Sequence, residues 1–165
     1  MFAIVDIETT GGVSQSNKII EIAIVIHDGL SVVDSFSTLI NPQIKIPYFI
    51  TKLTGINNEM VQNAPKFHEV AKKIVEITEG KTFVAHNIGF DYNFVQQEFK
   101  SLGYDYVRPK LCTVKLSRKR LPKQRSYSLG KLCEVLKIEN NARHRAEGDA
   151  LATAKLLEYL MNYAV

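Results

Sequence analysis

Apolar side chains fill most of residues 2–8 and give way only at Asp6 and Glu8, before Thr9-Thr10-Gly11-Gly12. The segment reads as a strand. Its two faces, Phe2/Ile4/Asp6/Glu8 and Ala3/Val5/Ile7, both start apolar, as in a central strand covered on both sides. Residues 19–27 and 32–40 read as two more strands around Asp28-Gly29, a hairpin signal, and Asn41-Pro42 ends the second of them. Residues 45–65 look irregular, with short helical pieces. Phe67, Val70, Ala71, Ile74 and Ile77 recur at helical spacing, so 67–78 is predicted helical with a stop near Gly80. Residues 82–85 form a short buried strand. Asn87 is placed to cap a helix running to about Leu102 and stopped by Gly103. A fifth short strand is expected at 111–113, followed by a helix to about Arg120. Ser128 is expected to cap a helix over 129–136. The last helix spans 145–161, with Leu151, Ala154, Leu157 and Leu160 among its apolar positions.

Three strands followed by strands alternating with helices predict an α/β fold, a mixed sheet covered by helices on both faces. The meander supplies antiparallel strands and the helix-linked strands are expected parallel. A length of 165 residues fits one domain, 1–165, and 45% hydrophobic with 23% charged residues is a globular composition able to build a core. The opening residues lack the basic start and long apolar run of a signal peptide, and no apolar stretch nears the ~20 residues that span a bilayer. A cytoplasmic setting without a membrane partner is therefore expected. Cys112 and Cys133 have no CxxC spacing and no nearby histidine pair, which argues against zinc and for two small apolar residues.

The net charge of +4 is unevenly spread. From Tyr106 to Cys133 there are nine Lys or Arg and no acid, leaving 12 basic against 17 acidic residues elsewhere. This segment concentrates positive field, as a polyanion-binding surface or simply as a solvated basic loop.

Three short motifs carry candidate chemistry. Asp6 and Glu8 lie two apart and so share one face of the first strand. Buried side by side without a cation they would tend to keep their protons; a divalent metal removes that conflict, because hard cations take oxygen ligands. If the strand ended at Asp6, both acids would be solvated. In His86-Asn87-Ile88-Gly89-Phe90-Asp91, a strand leads into a helix whose first turn holds Asp91. An acid there also suits the helix dipole, and His86 also suits a structural hydrogen bond. In His144-Arg145-Ala146-Glu147-Gly148-Asp149, Asp149 lies on the last helix and His144 on the loop before it. Imidazole can take a proton from water near neutral pH, although a surface histidine beside two arginines needs no such role.

Taken together, the order DIETTG, HNIGFD, HRAEGD, each at a junction of elements, resembles the DEDD exonuclease superfamily in its DEDDh branch. That branch includes proofreading subunits of bacterial DNA polymerase, ribonuclease T and oligoribonuclease. The resemblance covers nearly the whole chain and extends to Leu53-Thr54-Gly55-Ile56, Asn63-Ala64-Pro65-Lys66-Phe67, Leu111-Cys112-Thr113 and Tyr127-Ser128-Leu129.

The resemblance implies a ribonuclease H-like fold, a three-layer α/β/α sandwich with a mixed five-stranded sheet. It implies that Asp6, Glu8, Asp91 and Asp149 hold two divalent ions, Mg²⁺ or Mn²⁺, and that His144 is the general base. The activity implied is 3′→5′ removal of 5′-mononucleotides from a single-stranded 3′ end. DNA is favoured, since the DIETTG form looks most like the polymerase-associated members, and oligoribonucleases have an apolar residue where this chain has Thr10. A DNA polymerase subunit is a partner consistent with that reading. RNA trimming in the manner of ribonuclease T, and a non-catalytic nucleic-acid-binding module on the same fold, are the alternatives. A retired enzyme is expected to have lost at least one of the five residues, and all five stand here. Thr9, Thr10 and Gly11 are expected beside the terminal nucleotide, where Gly11 admits close approach. Ile56 is expected either against the terminal base or in the core. Asn87 is expected to position substrate or to cap its helix. Arg118 and Lys119, within the basic run, are expected to track phosphates. Tyr48-Phe49 offers a possible base-stacking pair.

Overall fold

The computed structural model describes residues 1–162. The elements follow the hydrophobic pattern. Strands are β1 (Phe2–Thr9), β2 (Ile19–His27), β3 (Val32–Leu39), β4 (Thr82–Ala85) and β5 (Lys110–Cys112). Helices are α1 (Tyr48–Thr54), α2 (Asn58–Gln62), α3 (Phe67–Thr78), α4 (Gly89–Ser101), α5 (Thr113–Arg120), α6 (Leu129–Leu136) and α7 (Ala146–Asn162). The sheet order is β3-β2-β1-β4-β5. β1, β2 and β3 pair antiparallel, whereas β1–β4 and β4–β5 are parallel.

The β2–β3 hairpin closes where Asp28-Gly29 stands. The Asp28 carboxylate accepts the N–H groups of Leu30 and Ser31, and Gly29 takes φ 112°, a conformation that side chains disfavour. β1 is central and covered on both faces. Ala3, Val5 and Ile7 face α3 and α4, packing with Phe67, Ile74, Phe94, Val95 and Phe99. Ile4 faces α7, whose Ala146, Ala150 and Ala154 recur every fourth residue and let the helix lie close to the sheet. α5 and α6 pack outside α7 through Leu121, Leu132, Leu156 and Leu160. The result is the three-layer α/β/α arrangement with a mixed five-stranded sheet.

Two expected caps are not formed by side chains. α4 starts at Gly89 with Ile88 before it and no side-chain cap; Asn87 instead takes φ 71° and contributes its carbonyl to the Phe90 N–H. Ser128 precedes α6, but its hydroxyl accepts from Ser126 and leaves the helix uncapped by a side chain. In both places packing against a neighbouring layer, the sheet for α4 and α7 for α6, takes precedence over short-range hydrogen-bond preference.

Candidate active site

The antiparallel β1–β2 ladder runs the full length of β1, but β4 pairs only with Phe2–Ile4. Beyond Ile4 the strands part, and the last turns of β1 face the start of α4. The Ile7 N–H therefore has no strand partner on that side. The Asp91 carboxylate, in the first turn of α4, accepts it at 3.2 Å. An N–H left unpaired there would be costly, so the same carboxylate both closes the gap and is delivered to the end of β1.

Asp6 and Glu8 point from β1 to the opposite face, toward the first turns of α7. Side-chain oxygens of Asp6, Glu8 and Asp149 lie within 4.8 Å of one another. Asp149 is held by the loop that precedes its helix: the Asn140 amide donates to Oδ1 at 2.6 Å, and the His144 backbone N–H donates to Oδ2 at 3.0 Å. His144 itself takes φ 62°, a left-handed conformation that histidine tolerates better than most residues. Gly148 permits this loop to pack against α7. A methyl at that position would strike the Ala142 carbonyl oxygen and come within 2.7 Å of its Cβ.

The field at this end of the sheet is strongly negative. Burial, then the charges of Asp91 and Asp149, hold the Asp6 carboxyl well above the usual carboxylate range. Burial, with Asp149 and Glu21 beside it, raises Glu8 to about 7, against the lowering pull of Arg145. Burial raises Asp91 to about 8 in spite of the backbone N–H groups it accepts. Carboxylates arranged so that they retain protons at neutral pH have the donor chemistry of a site for hard divalent cations: oxygen ligands, excess negative charge and two elements fixing them. Asp6, Glu8 and Asp149 stand close enough together to be able to hold such an ion, and Asp91 lies at the end of the same strand.

The raised values give a stability prediction for the metal-free protein. Glu8 and Asp91 ionise in the unfolded chain near pH 4 but in the fold only near 7–8, so folding takes up protons in between. Stability from these groups is full below about pH 4 and is lost as pH rises through 7–8, by up to about 1.4 kcal/mol per pH unit for each group. Thermal melts in EDTA are expected to show a lower midpoint at pH 8 than at pH 5.5, with Mg²⁺ or Mn²⁺ reversing much of the loss at pH 8. A midpoint that rises from pH 5.5 to 8 in EDTA contradicts the assignment.

The remaining expected residues divide. Thr9, Thr10 and Gly11 follow β1 directly, but the threonine hydroxyls are spent on the turn: Thr9 donates to the Gly11 carbonyl, and Thr10 donates to Asn17 and accepts the Lys18 N–H. A Cβ at Gly11 would come within 2.7 Å of the Asn17 amide, so a larger residue there makes that side chain move. Ile56 is fully buried among Ile20, Ile46, Ile50 and Val61, which decides for the core over the base contact that the sequence also left open. Its helix neighbourhood instead exposes Tyr48, Phe49 and Leu53. Asn87 is exposed at the mouth of α4, and Arg118 and Lys119 are exposed on α5, where the Arg118 guanidinium lies over the Tyr127 ring. His86 is structural. Its ring nitrogens meet the Thr113 hydroxyl at 2.9 Å and the Tyr127 carbonyl at 2.8 Å, and burial lowers its pKa, so the neutral ring joins β4 to α5 and to the loop before α6.

Glu21 is a site residue that pattern reading passed over. It faces Glu8 across the β1–β2 ladder and pairs with Arg145. A lone acid in the run Ile19-Ile20-Glu21-Ile22-Ala23 was the available signal. Asn140 and Gly148 carry no comparable one.

Comparisons with known proteins give the family. The sequence model of the RNase_T exonuclease family matches residues 3–157. The chain is 41% identical to a PolC-type DNA polymerase III of Caldanaerobacter subterraneus subsp. tengcongensis over 99% of its own length and 12% of that protein. It is 41% identical to the 3′-5′ exonuclease DinG of Bacillus subtilis over 92% of its length and 16% of that protein. The chain thus spans a small part of these two relatives. Among solved structures, Exonuclease X in complex with 5′-overhanging duplex DNA superposes with a TM-score of 0.79 at 30% identity, covering 98% of this chain and 92% of that one. The chain belongs to the RNase_T exonuclease family.

Proposed function

We propose that this chain, acting as a single domain over 1–165, is a divalent-metal-dependent 3′→5′ exonuclease that releases 5′-mononucleotides from the 3′ end of DNA. The observation that carries this reading is the meeting of Asp6, Glu8 and Asp149 within 4.8 Å, with Asp91 at the other side of the same strand end. The names of the relatives favour DNA: a DNA polymerase, a 3′-5′ exonuclease and a structure with duplex DNA bound. A DNA polymerase is the class of partner proposed with it. RNA trimming is the second reading, since nothing in the four carboxylates discriminates the sugar. No helix among the described residues is long and apolar enough to cross a membrane, and a cytoplasmic setting is part of the proposal.

Bound by the four carboxylates, two Mg²⁺ or Mn²⁺ ions would supply positive charge for the attacking and leaving oxygens of an in-line displacement. The chain's own residues do the rest. Asp149 and the loop bonded to it hold His144 at the edge of the carboxylate cluster. His144 takes a proton from the attacking water at its imidazole nitrogen. The water oxygen bonds to the last phosphorus, the bond to the 3′-oxygen of the preceding nucleotide breaks, and that oxygen takes up a proton. A 5′-mononucleotide leaves. Arg118 and Lys119 on α5 draw in the phosphates without choosing a sequence. Exposed Tyr48 and Phe49 offer faces for unstacked bases.

Digestion of 5′-labelled single-stranded DNA and RNA of matched sequence, with Mg²⁺, Mn²⁺ or EDTA, tests this. The expected result is a metal-dependent ladder shortening from the 3′ end, faster on DNA. Faster loss of RNA moves the assignment to the second reading. Binding without cleavage of either strand removes the enzymatic one.

A further inference from the structure

We propose that Glu21 and Arg145 form a positioning pair that fixes the start of α7, and through it His144 and Asp149, against Asp6 and Glu8; this rests on the exonuclease reading of the site. The Arg145 carbonyl accepts the Asp149 N–H and so makes the first bond of α7. That places Arg145 at the cap position, where Ser, Thr, Asp or Asn normally accepts the first free N–H groups. Arginine has no acceptor to offer. The cap comes instead from the neighbouring strand: the Glu21 carboxylate, on β2, accepts the Ala146 N–H at 2.9 Å. The same carboxylate takes the Arg145 guanidinium through two nitrogens, Nη2 at 2.7 Å and Nε at 3.1 Å.

The geometry is stringent. The Glu21 side chain is only 4% exposed, so a displaced partner would leave a buried charge unpaired. Glu21 stands opposite Glu8 in the ladder, which places the anchor one strand away from the carboxylate cluster. Arg145 lies between His144 and Ala146, so the clamp grips the chain between the histidine and the helix that carries Asp149. A carboxylate at this helix start is also favoured by the helix dipole. Loss of the clamp lets the first turn of α7 shift, and Asp149 and His144 shift with it. Side chains that orient ligands in this way are worth about 10–100-fold in metal affinity or turnover.

The test compares wild type, Glu21→Gln and Arg145→Gln for Mn²⁺ affinity by electron paramagnetic resonance, and for kcat and KM on a 5′-labelled oligonucleotide. All are read well below each variant's melting midpoint. Positioning predicts the same direction in both variants: Mn²⁺ affinity and kcat each fall about tenfold or more, with KM changed little. A simple field effect predicts opposite directions, because Glu21→Gln removes negative charge beside the site and Arg145→Gln removes positive charge. Opposite directions, or two variants that melt earlier yet keep wild-type Mn²⁺ affinity and kcat, overturn the proposal. If Glu21→Gln does not fold, Arg145→Lys carries the test. It keeps the charge, loses the two-pronged contact, and is expected to lose affinity and turnover; unchanged values overturn the proposal. A wild type that binds Mn²⁺ but cleaves nothing removes the exonuclease reading, and the affinity arm still decides the positioning role.

Discussion

Asp6→Asn is expected to lower turnover on single-stranded DNA by at least about 10²–10³-fold, because one of the converging carboxylates then brings a neutral oxygen to the place where charge must be balanced. The substitution changes side-chain volume little, and the fold is expected to survive it. Stability is expected to move the other way. In the metal-free protein near pH 8, the Asp6 carboxyl is held well above the usual range by burial and by Asp91 and Asp149, so its ionisation opposes folding. The amide removes that opposition. The metal-free variant is therefore expected to melt at or above wild type at pH 8, and to gain less on adding Mn²⁺. A labelled-oligonucleotide assay beside a melt in EDTA and in Mn²⁺ reads all three effects. Wild-type activity in Asp6→Asn removes the carboxylate cluster from the mechanism.

His144→Ala is expected to reduce kcat by about 10²–10⁴-fold, the usual contribution of a positioned general base. Binding of a single-stranded oligonucleotide is expected to change by no more than a few fold. The bond from this loop to Asp149 is made by the His144 backbone N–H, which the alanine keeps, so the metal-holding carboxylate stays clamped. The left-handed backbone at this position is the one cost: φ 62° suits histidine better than alanine and loosens the loop somewhat. His144→Asn controls for that, because asparagine accepts the same conformation but is a far weaker base. Equal kcat losses in the alanine and asparagine variants, with oligonucleotide affinity intact, support proton transfer. Recovery of kcat in the asparagine variant assigns the loss to loop geometry and sinks the base.

The motifs that point to this site were legible because each is local. Asp6 and Glu8 share a strand face by the two-residue period alone, and Asp91 and Asp149 fall in the first turns of α4 and α7. The strands and helices followed, since β2 is buried along its whole length and α3 keeps a regular apolar spacing. The residues that local reading left open or misassigned share one physical cause. Ile56 lies in a loop between two short helices, where no period shows which way a side chain points, and it turned inward to close a small core. Asn87 and Ser128 have the composition of helix caps, but the cap depends on where the incoming backbone is held. Packing on the sheet at α4, and on α7 at α6, held it elsewhere.

The amino-acid pattern by itself determined the alternation of elements, the covered central strand and the four acids with one histidine. These depend on side-chain periods of two and 3.6 and on residues adjacent in the chain. Only the tertiary structure decided which of those residues meet. Asp91 reaches β1 because β4 stops pairing at Ile4 and leaves the Ile7 N–H to be satisfied. Asp149 reaches Asp6 and Glu8 because an alanine stripe brings α7 close to the sheet. Glu21, 124 residues from Arg145, caps a helix whose own sequence has no cap. Contacts of that span leave no trace in local periodicity, because what selects them is the cost of leaving a buried charge or N–H unpaired once the layers have packed.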